Sequence, residues 1–180
     1  MQLYLVRHTR VDVPSGICYG MQDVPLANTF HQEWEEVKSR LSGIDFECTF
    51  SSPLLRCLLP AKKICEEVII DERLQEMNFG DWEGKCWDEI FASQEGKRWF
   101  GDYLHATCPN GESNDRLTER VQAFINDLPQ TSGNILIITH AGVIRAFLVL
   151  LCGWMAKKAF DTPIAYGQVI QIEITANKNR

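Results

Sequence analysis

Residues 134–145 read NILIITHAGVIR. Ile135, Leu136, Ile137 and Ile138 form an unbroken apolar run, the pattern of a strand covered by helices on both faces of a parallel sheet. His140 ends the run, and a helical pattern follows from about Ala141 to Leu151. A strand that feeds straight into a helix is the repeating unit of an α/β domain. The first ten residues, MQLYLVRHTR, follow the same logic: LYLV (3–6) runs into Arg7-His8. A core strand normally stops at Gly, Asn or Asp. Here two strands stop at side chains suited to holding an anion.

Working outward, CTFSS (48–52), VIID (68–71) and VIQIEI (169–174) read as further strands. Phe30, Trp34, Val37 and Leu41 share one helical face. The TFHQ that precedes them has the form of a capping box, and Gly43 is the expected C-cap. Ser52-Pro53 predicts the start of a helix through about Cys65. Pro60 lies within that span, lacks an N–H and clashes with the Arg56 carbonyl. This predicts either a kink near Arg56–Pro60 or a start later than Pro53. Leu117, Val121, Phe124, Ile125 and Leu128 form another stripe, introduced by NGES (110–113) and closed by Pro129. The alternation predicts one three-layer α/β/α domain over residues 1–180 with a mostly parallel central sheet. The aromatic-rich, irregular stretch at about 80–112 reads as a small covering insertion.

A chain of 180 residues with formal net charge −6 is large enough for one full core and repels phosphate backbones, so no nucleic-acid partner is expected. An anionic substrate must then be captured by a local basic pocket. The seven cysteines are scattered, odd in number and without a CxxC, which argues against a disulfide framework and a zinc site. Reduced cysteines, an apolar N-terminal run too short for a signal peptide, and AFLVLLCGWM (146–155), too short to cross a bilayer, predict a cytoplasmic protein without a membrane partner.

Ligands of open α/β sheets bind beyond the carboxyl ends of the strands. Three strand ends deliver Arg7, His8, Arg56 and His140 to one edge, with a helix N-terminus at Ala141 offering backbone N–H groups. Each residue alone has a bland reading: a strand-end histidine is often structural, and Arg56 alone is a surface charge. Together they make a dense anion pocket, because clustered cations are costly without an anion to pair with. Bidentate arginine geometry suits phosphate. His31 reads as helix surface, and His105 has no assigned role. No GxxxxGK[ST], GxGxxG or C-x5-R occurs, so neither a nucleotide loop nor a thiolate phosphatase is indicated.

LVRHT (5–9), SSPLLR (51–56), RLQEMNFGDWEG (73–84), PNGES (109–113) and ITHAGVIR (138–145) stand in the order seen in the histidine phosphatase superfamily, whose members are phosphoglycerate-mutase-like. The chain resembles that family from Leu3 to about Leu151. The resemblance implies that His8 is the nucleophile and becomes the phosphohistidine. It implies that Arg7, Arg56 and His140 bind the phosphate, with Ala141 as a backbone contact, and that Glu76 is the proton donor. Asp81 and Glu83 compete for that last role. A neutral imidazole attacks without prior deprotonation, and fixed cations stabilise the transferring phosphoryl, so no metal or cofactor is expected. RHTRVDVPSGICYGMQDVPL (7–26) resembles the α-ribazole phosphatase subgroup, with Tyr19 and Gly20 in the loop over the substrate. The expected substrate is thus a small phosphate monoester, α-ribazole 5′-phosphate first, with inorganic phosphate as product. The alternatives are a phosphoglycerate mutase, a broad sugar-phosphate phosphatase and a non-catalytic phosphate-binding relative.

Overall fold

A computed structural model describes residues 1–174 of the chain. The elements are β1 (Gln2–Arg7), α1 (Phe30–Arg40), β2 (Phe46–Ser51), α2 (Leu55–Ala61), β3 (Ile69–Ile70), α3 (Trp87–Ala92), α4 (Gln94–Gly101), α5 (Asn114–Asn126), β4 (Asn134–Thr139), α6 (Ala141–Cys152), α7 (Ala156–Asp161) and β5 (Val169–Glu173). The strands form one sheet in the order β3-β2-β4-β1-β5. All neighbours are parallel except β5, which runs antiparallel to β1 along the edge.

Apolar residues of alternating direction explain the layers. Leu3 and Leu5 of β1 and Ile135 and Ile137 of β4 pack with Leu117, Val121 and Phe124 of α5 and Val143, Ile144 and Phe147 of α6. Val6, Leu136 and Ile138 point the other way and meet Phe30, Trp34 and Val37 of α1 and Cys57 and Ala61 of α2. Period-two alternation within a strand buries both faces, so both need a helical cover.

The helix expected over 52–65 spans Leu55–Ala61. Its start falls later than Pro53, one of the two outcomes Pro60 predicts. Pro60 stays inside, at the sixth position, without donating to the Arg56 carbonyl. The expected capping box at Thr29 does not form: Thr29 makes no capping bond, and its hydroxyl bonds the Glu33 carboxylate instead. Gly43 lies beyond the cap, which is Leu41. The stretch read as irregular holds α3 and α4, both too short for periodicity to reveal. They are fastened by an aromatic cluster in which Trp99 meets Phe79, Trp82 and Phe100. Helix α7 was not foreseen either. Among the described residues no helix is long and apolar enough to cross a membrane.

Candidate active site

The parallel strands end at a common edge. Arg7 is paired with Thr139 in the β1–β4 ladder, and the next residues continue the contact: the His8 N–H donates to the Thr139 carbonyl at 3.0 Å. Beyond β2, the Ser52 N–H donates to the Ile138 carbonyl at 3.1 Å. These bonds set His8, His140 and Ser52 side by side. The two imidazole rings lie edge to face with centroids 5.2 Å apart, and His140 Nε2 lies 2.8 Å from the Ser52 hydroxyl.

His8 Nδ1 is 2.7 Å from the Thr9 carbonyl oxygen. A carbonyl can only accept, so Nδ1 carries the hydrogen and Nε2 carries the lone pair of the neutral ring. Burial is the main reason its pKa falls well below the ordinary histidine value, and the Arg56 and Arg7 charges push the same way. His140 is likewise held neutral, by burial first and then by Arg56 and His8. The nucleophile expected from the sequence is thus a neutral, oriented imidazole.

Arg56 is fully buried, with its two terminal nitrogens donating to the Gly20 and Gln22 carbonyls. Its Nε and that of Arg7 are buried without an acceptor among the described residues. A buried N–H without a partner costs free energy, so two such charged donors near one imidazole would suit an oxyanion as acceptor. Cys57, close to His140, is no rival nucleophile: burial pushes its thiol far up and keeps it protonated.

Glu76 comes from the loop after β3 and meets the N-terminus of α6. Its two carboxylate oxygens each accept from the Gly142 N–H at 3.2 Å, and one also accepts from the Met77 N–H at 3.0 Å. Helix N-termini favour such anionic caps. Glycine at 142 leaves room for this approach, since a Cβ there would meet Glu76 Oε1 and push the carboxylate aside. Glu83 is engaged otherwise. It accepts from the Met21, Gln22 and Phe79 N–H groups and staples the Tyr19–Gln22 loop. Asp81 accepts from the Asn110 side chain at the surface.

A cavity of about 380 Å³ opens in front of this edge, with Arg7, Glu76, Ala141, Tyr19 and Gly20 on its wall. His8, Arg56 and His140 are buried and do not line it, but His8 packs on Tyr166 and on His140, and Arg56 bonds the Gly20 carbonyl, so they adjoin its wall. Every residue expected at the site therefore reaches one end of the sheet. His31 and His105 do not: His31 is exposed on α1, and His105 is exposed and bonded to Asp115. Three side chains of the site were missed. Tyr166 stacks on Arg7 with 3.9 Å between guanidinium carbon and ring centroid. Arg145 lines the cavity one helical turn beyond Ala141. Arg120 donates to the Arg73, Gln75 and Glu76 carbonyls and so fixes the loop that carries Glu76. Only Arg145 had a signal, its place four residues after Ala141.

A family model described as histidine phosphatase superfamily, branch 1, matches residues 3–180. The chain belongs to that superfamily. With phosphatases among its relatives and structural neighbours, it is an enzyme of the phosphatase kind. An adenosylcobalamin/alpha-ribazole phosphatase of Escherichia coli is 28% identical, over 97% of this chain and 90% of that one. Phosphoserine phosphatase 1 of Hydrogenobacter thermophilus is 27% identical, over 98% of this chain and 89% of that one. The crystal structure of the alpha-ribazole phosphatase of Shigella flexneri superposes with a TM-score of 0.88 at 27% identity, covering 98% of this chain and 92% of that one.

Proposed function

We propose that the protein hydrolyses a phosphate monoester through a phosphohistidine at His8, and that α-ribazole 5′-phosphate is its substrate. The observation that carries the reaction is the Nδ1 bond to the Thr9 carbonyl, which leaves the Nε2 lone pair to attack phosphorus beside two arginines with free Nε–H groups. In the first step the Nε2–P bond forms and the ester P–O bond breaks. The leaving oxygen takes the bonding electrons, and Glu76 supplies its proton. In the second step Glu76 takes a proton from water, the water oxygen bonds phosphorus and the P–N bond breaks. Arg7 and Arg56 stabilise the charge on the phosphoryl oxygens throughout, with His140 beside them.

The substrate assignment rests on the apolar members of the cavity lining. These are Val13, Pro14, Ile17, Phe79 and Trp87. These apolar and aromatic side chains, set among polar ones, suit an ester whose alcohol carries a flat ring, and alpha-ribazole phosphatases are among the relatives. One observation favours a second reading. Arg145 is half-buried and donates to the Thr162 carbonyl, and among the described residues no carboxylate pairs with it. A guanidinium so placed would read a carboxylate on the alcohol part, as in phosphoserine.

Phosphate release from α-ribazole 5′-phosphate, phosphoserine, 3-phosphoglycerate and p-nitrophenyl phosphate tests both. The first reading expects kcat/KM for α-ribazole 5′-phosphate to exceed the other natural esters at least tenfold, about 1.4 kcal/mol of transition-state binding. A preference for phosphoserine that Arg145→Ala removes would establish the second. Isomerisation of 3-phosphoglycerate without phosphate release would overturn the hydrolase reading itself.

A further inference from the structure

Tyr166 lies in the turn after Pro163, distant in sequence from every strand end that builds the site. Its hydroxyl is 2.9 Å from that of Tyr19. The Tyr166 ring lies on the Arg7 guanidinium and 5.6 Å, centroid to centroid, from the His8 imidazole. The Tyr19 ring covers the Arg56 guanidinium at 5.2 Å. Each arginine thus carries one tyrosine ring, and the two tyrosines meet head to head. Beneath them His8 is only 1% exposed, although Tyr166 itself is 37% exposed.

The surroundings leave Tyr166 room to move. It is a shared wall of two cavities, the one that holds Glu76 and a second of about 300 Å³ lined by Arg10, Glu33 and Arg40. The backbones on either side are pinned. The Gly167 N–H lies 3.1 Å from both the Arg7 and the His8 carbonyls, and Glu83 staples the Tyr19 loop. Motion is therefore left to the side chains, whose rotamer changes are fast and local.

We propose that Tyr19 and Tyr166 form a latch over the nucleophile: the hydroxyl bond opens to admit the phosphate ester and recloses over the site, and the Tyr166 ring positions Arg7. The latch rests on the reading of His8 as nucleophile only for its purpose; its existence is a matter of access to one imidazole. Loss of one neutral hydrogen bond shifts a closed–open balance by about two- to tenfold.

The test is the rate at which diethyl pyrocarbonate carbethoxylates His8, followed by peptide mass spectrometry in the full-length protein. Tyr166→Phe and Tyr19→Phe should each speed modification of His8 two- to tenfold, with exposed His31 and His105 as unchanged internal references. The double variant should be no faster than either single, because both remove the same bond. Unchanged His8 rates in both single variants overturn the latch, as does simple additivity. Tyr166→Ala should raise KM for p-nitrophenyl phosphate above that of Tyr166→Phe, and equal KM values remove the positioning role. Modification of His8 that leaves turnover intact would sink the nucleophile reading while the latch measurement stands.

Discussion

Acidification from about pH 7.5 to about pH 5.5 should destabilise the fold through His8 and His140. Both are buried, and burial, with Arg56 next in weight, lowers their pKa values well below 6.5. In the unfolded chain each returns to about 6.5 and takes up a proton in this interval. The unfolded state then binds more protons than the folded one, so stability rises with pH and is lost as pH falls through about 6.5. A histidine that stays neutral in the fold throughout costs about 1.4 kcal/mol over the interval, and the pair about 2.7 kcal/mol. Domains have only about 5–15 kcal/mol in total. His105 runs the other way, since Asp115 raises its pKa and its contribution fades as pH rises, but both groups are exposed and such pairs contribute little. The Asp71 carboxyl, lowered mainly by its hydrogen bonds to Arg73, titrates below this window. Urea unfolding followed by tryptophan fluorescence at the two pH values measures the difference. His8→Asn should remove about half of the pH dependence. A protein equally stable at both pH values, or a slope untouched in His8→Asn, would refute the neutral buried pair.

Three variants probe the chemistry. His8→Ala should abolish turnover and the acid-labile phosphoryl label while the far-ultraviolet circular dichroism stays that of the wild type; a label that persists would place the intermediate elsewhere. Glu76→Gln should slow hydrolysis of a sugar phosphate by about 10²- to 10⁴-fold but p-nitrophenyl phosphate far less, because nitrophenolate leaves without a proton. Where phosphoryl transfer limits both rates, equal losses would remove Glu76 from the acid role and make Glu83→Gln the next variant. Gly142→Ala should act like a Glu76 variant, since the added Cβ meets the carboxylate, with kcat on sugar phosphates down at least tenfold and thermal stability within a few degrees of wild type. A fully active Gly142→Ala enzyme would show that the cap at α6 does not hold Glu76 for catalysis.

The α/β architecture and the strand ends were legible in one dimension because their signals are local. An apolar run such as Ile135–Ile138 can only be a doubly covered strand or a buried helix turn, and the flanking helical patterns decide between them. Parallel strands share a carboxyl edge, so Arg7, His8 and His140 had to converge once the strands were recognised. Pro60 marked α2 as irregular because its missing N–H is a property of one residue, although it stays inside the helix. Helices α3, α4 and α7 escaped because each is too short to show a period and is held by distant aromatic contacts, such as Tyr103 stacked on Phe160. Tyr166 could not be read at all. Its partners Tyr19, Arg7 and His8 lie at the other end of the chain, and β5 brings the turn back only by pairing antiparallel with β1. Arg120 is equally silent, one charge on an amphipathic helix until the fold sets the Arg73, Gln75 and Glu76 carbonyls around it. Sequence determined which groups stand at the sheet edge, because backbone periodicity is local. Tertiary structure alone decided the protonation of His8, the place of Glu76 and the cover over the site, because burial and contacts across the chain exist only once it has closed on itself.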